Sequence, residues 1–340
     1  MLSMLLTACV HSGGKLPTAQ PRVPRLQSAH YERVEIAPRD PLVARVYDGV
    51  LDEALAGAAG AVAIGLAAGR PVGAPEVRWR AVLAGYPWPV AVARVAVVEQ
   101  DAVAQDLVDA AVAARGHDVG LVRARGEHGD HWVLLVGGRR GELPQVPREP
   151  VPGQELALPG FAWSAVAPSG AALTGQDRLT VSMPGEWLVQ LRDSQGIVTT
   201  FPLYAGRTTP QGPPFRSGLG AEVAGDLDEE LLWQLDALDG WYERSAAERD
   251  LALDAVARGR LRSFLAGQAL PPAGQQLAAA GYFEGTAGEC RAASVSDCLD
   301  AMWWSQSGHA ALAGAWGTVG MAVTPTAEGV AISVAVADRE

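Results

Sequence analysis

The chain has 340 residues, 49% of them hydrophobic, 19% charged and 6% aromatic, enough apolar material for two or three packed cores. That composition excludes wholesale disorder, which goes with few apolar residues and a high net charge. The net charge of −11, from 27 basic and 38 acidic residues, and the lack of a basic stripe argue against nucleic acid as a partner.

The first residues, Met1-Leu2-Ser3-Met4-Leu5-Leu6-Thr7-Ala8-Cys9, are apolar and place a small residue before a cysteine. Leu6-Thr7-Ala8-Cys9 resembles the lipobox of bacterial lipoproteins. The resemblance implies a lipoprotein signal over 1–9, lipidation at Cys9 and anchorage to a membrane. With Cys9 acylated, Cys290 and Cys298 remain as an even pair, expected to form a disulfide in an oxidising compartment; two buried free thiols are the alternative. Residues 10–39, with Pro17, Pro21, Pro24 and Pro38, read as a tether. No run of about 18 apolar residues reads as a transmembrane helix.

Asp40-Pro41 is a helix start, a capping carboxylate followed by a proline, and the apolar stretch Leu42–Ala68 is expected as one long helix. A shorter helix follows over Pro75–Ala84, stopped by Gly85. Val90–Val98 reads as a strand and Asp101–Ala114 as a helix ending at Gly116. Asp118–Arg123 and His131–Val136 read as a strand pair joined by Gly126-Glu127-His128-Gly129-Asp130. Residues 138–153 read as a linker. Phe161–Ala167, Arg178–Met183, Trp187–Arg192 and Ile197–Tyr204 alternate strongly, with turns at Pro184-Gly185 and Asp193-Ser194-Gln195-Gly196. They predict a small immunoglobulin-like β-sandwich over 154–206. A second linker spans 205–225. Helices are expected from Asp226, over Ala246–Leu265, over Gln275–Ala280 before Gly281, and from Ser294 or Ser296 to about Gly308. Thr318–Val323 and Val330–Ala337 close the chain as strands.

The two helical parts share an order of elements and local identities: Ala84-Gly85-Tyr86 with Ala280-Gly281-Tyr282, Gly116-His117 with Gly308-His309, and Val119-Gly120 with Val319-Gly320. A duplication is expected. The order Ala280-Gly281-Tyr282, Gly288-Glu289-Cys290, Trp304-Ser305-Gln306-Ser307-Gly308-His309, then Val319-Gly320-Met321-Ala322-Val323 resembles the bacterial branch of the CAP superfamily. The resemblance covers 226–338 and, more weakly, 40–138. It implies an α+β fold, with two CAP-like α-β-α sandwich domains flanking the small β-sandwich. It also implies a shallow cleft to which Glu289 contributes the glutamate and His309 the histidine.

Carboxylate and imidazole are competent metal ligands and proton carriers, so Glu289 and His309 are the cleft candidates, either as a structural pair or around a divalent metal. The matching stretch of the first half, Val92-Ala93-Arg94-Val95, has no carboxylate, and His117 reads as a helix-end residue. Glu127-His128-Gly129-Asp130-His131 looks like a metal cluster, but strand alternation sends its side chains apart. Trp303 and Trp304, with Trp316, are candidates for an aromatic binding shelf or for core packing. Arg139-Arg140 reads as a surface charge pair. No nucleophile elbow, His-Glu-x-x-His, P-loop or dinucleotide fingerprint occurs. The expectation is a non-catalytic, membrane-anchored extracytoplasmic lipoprotein, without a cofactor, that binds a protein, glycan or lipid at the cell envelope. The alternatives are an envelope peptidase or wall hydrolase using Glu289 and His309, and a self-assembling structural protein.

Overall fold

The structure, a computed structural model, describes residues 30–70, 72–210, 215 and 226–338. Cys9 with its lipobox and most of the 205–225 linker lie outside the described residues. The chain is of mixed α+β class, and no helix among the described residues is long and apolar enough to cross a membrane.

Strands β1 (His30–Tyr31) and β2 (Glu35–Ile36) fall in the stretch expected to be tether, yet they belong to the packed body. Tyr31 is fully buried, its ring 4.8 Å from that of Phe201 and its hydroxyl donating to the Pro202 carbonyl. A buried aromatic with a bonded hydroxyl is an anchor, not a linker residue.

The single helix expected over 42–68 is broken into α1 (Pro41–Val46), β3 (Leu51–Asp52) and α2 (Glu53–Ala67). Asp40 caps α1 as expected. Asp52 is a second cap inside the apolar run, its carboxylate accepting from the Leu55 N–H at 2.9 Å. There follow α3 (Ala74–Ala84), β4 (Val90–Val98), α4 (Gln105–Ala113), β5 (Val119–Gly126) and β6 (Gly129–Gly137). The three strands pair antiparallel in the order β4-β6-β5. Leu55, Val62, Val77 and Ala81 of α2 and α3 pack on Val133 and Leu135 on one face. Val43, Leu107 and Val108 of α1 and α4 pack on Trp132 and Leu134 on the other.

The expected linker 138–153 is partly structural. β7 (Val146–Pro147) pairs with β1, Val146 is buried, and the buried Arg148 guanidinium donates to the Leu83 carbonyl at the end of α3. Arg139 is likewise more than surface charge, since its guanidinium reaches the buried Asp118 at 3.2 Å.

The middle of the chain forms β8 (Gln154–Val166), β9 (Ala172–Val181), β10 (Gly185–Asp193) and β11 (Gly196–Ala205). Among the described residues these make one antiparallel sheet, ordered β11-β10-β8-β9, rather than the two facing sheets expected of a sandwich. The covering layers come from elsewhere in the chain. Trp187, Val189, Phe201 and Leu203 share a continuous core with Trp79 and Leu83 of α3. Ala310 and Leu312, far along the chain, belong to the same core. β10 is consequently buried on both faces from Glu186 to Leu191.

The C-terminal part contains α5 (Leu227–Trp241), β12 (Glu248–Arg249), α6 (Leu251–Leu265), α7 (Ala273–Ala279), β13 (Glu284–Ala292), α8 (Val295–Trp303), α9 (Gln306–Ala313), β14 (Thr318–Thr326) and β15 (Gly329–Asp338). Its sheet has the order β12-β14-β15-β13, with β12 parallel to β14 and the rest antiparallel. The helix expected from 246 begins only behind Asp250, which accepts from the Ala252 N–H. The one expected to run to Gly308 stops at Trp303, and Ser305 caps a new helix by accepting from the Gly308 N–H. Cys290 on β13 and Cys298 on α8 form the expected disulfide.

The sequence α2-α3-β4-α4-β5-β6 therefore recurs as α6-α7-β13-α8-β14-β15, with α9 added and with the same strand order in each sheet. Gly120 and Gly320 hold the same place. A Cβ on either would overlap the backbone at the first turn of the covering helix, at Leu55 or at Leu253. The proposed equivalence of His117 and His309 does not hold. His117 is exposed in the turn just before β5, its backbone N–H bonded to the Ala114 carbonyl, whereas His309 lies inside α9. Helix α9 comes close because Gly308 sits against Gly288 of β13; a Cβ on Gly288 would lie 2.9 Å from the Gly308 Cα. In the first half the corresponding strand position is Arg94, opposite Leu134 as Gly288 is opposite Val334. Arg94 is exposed there, with a long side chain where β13 has only a glycine.

Candidate functional site

Glu289 is held on the α6 side of the C-terminal sheet. The Arg260 guanidinium, projecting from α6, meets its carboxylate with two nitrogens, Nε to Oε1 and Nη2 to Oε2, the latter at 3.1 Å. Ser333, directly across on β15, donates its hydroxyl to Oε1 at 3.3 Å. Arg260 spends its remaining reach on the Gln276 side chain at 2.6 Å and the Pro271 carbonyl at 3.0 Å. The side chains of Arg260 and Glu289 are 5% and 8% exposed, so this bidentate pair is sealed and its bonding capacity is used. Both carboxylate oxygens are thus occupied and shielded, which leaves none free to meet a substrate.

The first half shows what the pair replaces. Val62 holds on α2 the place of Arg260 on α6, and Val95 and Val133 pair across β4 and β6 as Glu289 and Ser333 do across β13 and β15. With Leu66, Val72, Val77, Ala93 and Leu135 they line a small, wholly apolar hollow. The same architecture thus accepts an ion pair in one copy and valines in the other.

His309 lies on the other side of the sheet. Side chains alternate along β13, so Glu289 faces α6 while Cys290 faces α8, to which it is bonded. His309 belongs to the Cys290 side, where α9 meets the central sheet. Its ring is fully buried against Trp303, 4.9 Å away edge to face. Nδ1 lies 3.0 Å from the Trp303 carbonyl, which only accepts, so Nδ1 carries the proton and Nε2 presents a bare lone pair. Burial pushes the pKa down to about 3, and the imidazole is neutral at physiological pH. The structure does not bring Glu289 and His309 together: a β-sheet separates them.

The residue that does face His309 is Glu186, at the start of β10. Its Oε1 is 3.5 Å from Nε2 and accepts the Tyr242 hydroxyl at 2.8 Å, while Tyr242 accepts the Trp303 indole N–H at 2.9 Å. Burial raises the Glu186 pKa to about 8, against smaller opposing effects of Tyr242, Arg207 and Arg244. Glu186 is thus largely a neutral acid near pH 7.

The remaining candidates are structural. Trp303 and Trp304 are buried rather than displayed as a shelf. They pack with Trp79 of α3, ring centroids 5.2 and 6.0 Å away, and join the two halves of the chain through their edges and faces. In the hairpin, Asp130 is buried on the Arg123 guanidinium at 2.8 Å, while Glu127 and His128 are exposed. Among the described residues no group of three or more His, Cys, Asp or Glu side chains gathers in a way that could hold a metal.

Arg260 and Glu186 are the polar residues that sequence reasoning missed. Arg260 had a signal: Leu253, Ala257, Arg260 and Leu261 share one helical stripe, and a charge on an apolar stripe needs a buried partner. Glu186 had none, because it follows a Pro-Gly turn and alternation does not reveal a strand covered on both faces. The fold and these two buried clusters define the class as a mixed α+β protein with an internally repeated, helix-sheet-helix layering. No family model, no curated protein and no solved structure matches the chain.

Proposed function

We propose that this chain is a non-catalytic, lipid-anchored protein of the bacterial cell envelope. In this reading 40–138 and 226–338 are degenerate CAP-like domains held on a central sheet, and the assembly binds a protein, glycan or lipid. The observation that carries the non-catalytic part is the separation of Glu289 from His309. One is saturated by Arg260 and Ser333 and the other is sealed beneath α9, so these two do not form an acid–base pair at a surface. General acid–base work needs such a pair within hydrogen-bond reach of a substrate. A disulfide between Cys290 and Cys298 accords with an oxidising compartment, and Leu6-Thr7-Ala8-Cys9 supplies the anchor.

Two assays test this reading. Full-length protein supplied with divalent metal is expected to release nothing above buffer from peptidoglycan or a denatured protein substrate, with Glu289→Gln indistinguishable from wild type. Turnover abolished by Glu289→Gln would instead establish the hydrolase. Expressed in a bacterium, the wild type is expected in the membrane fraction and Cys9→Ser in the soluble one; equal partition of the two would remove the anchor.

A further inference from the structure

We infer that Glu186, Tyr242 and His309 form a proton-dependent latch: the protonated Glu186 side chain holds the C-terminal half against the central sheet, and losing that proton loosens the contact. The geometry supports this directly. Glu186 belongs to the sheet, whereas Tyr242 ends α5, Trp303 ends α8 and His309 lies in α9. Every bond of the cluster therefore crosses, or braces, the junction between the two parts. The indole of Trp303 donates to Tyr242, and Tyr242 donates to Glu186. Glu186 Oε2 and His309 Nε2 are both buried without a hydrogen-bond partner among the described residues.

A protonated carboxyl resolves this arrangement, because a proton on Oε1, 3.5 Å from Nε2, can point toward the lone pair there while Oε1 still accepts from Tyr242. A carboxylate aggravates it, since Oε1 then faces the lone pair on Nε2 with no proton between them, Oε2 has no donor, and a charge is left without solvent. The surroundings offer that charge little relief. Tyr204 stands directly across on β11, with Arg207 just beyond it. Tyr31 from β1 and Arg148 after β7 flank the tyrosines. Arg244, after α5, is committed to Asp239 and to the carbonyls of Leu312, Ala313 and Gly314. Among the described residues no arginine comes within ion-pair distance of Glu186. Opening α9 away from the sheet lets water reach the carboxylate, so opening and proton loss favour each other.

Hydrogen–deuterium exchange of the full chain, corrected for the chemical rate at each pH, tests the latch. Protection of the α9 amides is expected to stay level between about pH 4.5 and 6.5, where His309 and Glu186 offset each other, to fall by up to tenfold per pH unit above about 6.5, and to level off above about pH 8. Glu186→Gln should abolish the fall above about pH 6.5 and leave the loss of protection on acidification that His309 causes. Tyr242→Phe removes the hydroxyl that favours the carboxylate, so its levelling-off should move to higher pH, and this variant decides the matter if Glu186→Gln does not fold. Protection in α9 that ignores pH in the wild type would overturn the latch. The same slope in Glu186→Gln, or an unmoved plateau in Tyr242→Phe, would overturn it as well.

Discussion

Arg260→Val is expected to destabilise the protein by about 3–5 kcal/mol, because it leaves the Glu289 carboxylate buried with only the Ser333 hydroxyl as partner. Glu289→Val should cost less, since Arg260 keeps the Gln276 side chain and the Pro271 carbonyl. The informative variant is the double one. Arg260→Val/Glu289→Val reproduces what the first half carries at Val62 and Val95, packed between a helix and a strand of the same arrangement. Most of the loss in Arg260→Val should therefore return in the double variant, a strong coupling between the two positions. Urea unfolding of the four proteins measures it. Additive losses would show that the two halves are not built alike at this place.

The second large effect is the dependence of stability on pH. Glu186 keeps its proton in the folded chain up to about pH 8 but, unfolded, loses it around its ordinary value of 4.5. Between those limits the folded state binds the extra proton, so stability from this group is full below about pH 4.5 and is lost as pH rises through about 8. His309 works in the opposite sense. Folded, it is neutral down to about pH 3, while unfolded it takes a proton below 6.5. Its contribution is present above 6.5 and lost on acidification toward 3. The two slopes cancel between about 4.5 and 6.5, leaving the pair most favourable there and increasingly unfavourable toward pH 8. In Glu186→Gln the alkaline fall disappears. The stability difference, wild type minus variant, should shrink by up to about 1.4 kcal/mol per pH unit from 5 to 8 and then stay constant. Asp52 and Asp300, also raised by burial to about 6, are common to both proteins and drop out of the difference. A difference independent of pH would place the Glu186 proton equilibrium elsewhere.

Local chemistry made much of the fold legible. Asp40-Pro41 starts α1, Gly85 and Gly281 end α3 and α7 regions, and the strand pairs Val119–Gly126 with Gly129–Gly137 and Thr318–Thr326 with Gly329–Asp338 lie where alternation placed them. The missed breaks, at Asp52 and Ser305, are caps embedded in apolar runs, where helical spacing continues across the interruption. The sandwich was misjudged for a different reason. Alternation in β8 to β11 reports strands, but not what covers them, and here the cover comes from α3 and α9, distant in sequence. The candidate site suffered from the same blindness. Gly308-His309 and Gly116-His117 look alike as dipeptides, yet Gly288 admits a helix in one half, while the other has an exposed Arg94 at that position and no such helix. Which face of β13 Glu289 takes depends on Arg260 and on the Cys290–Cys298 bond, two long-range facts.

A calorimetric titration of the full chain with zinc and with calcium, set beside His309→Ala and Glu289→Gln, addresses most directly whether these two side chains serve packing or chemistry. Opposite faces of one sheet and saturated or sealed polar atoms predict no stoichiometric binding that depends on either residue. Tight one-to-one binding lost in both variants would contradict it, because a single ion cannot be shared across that sheet.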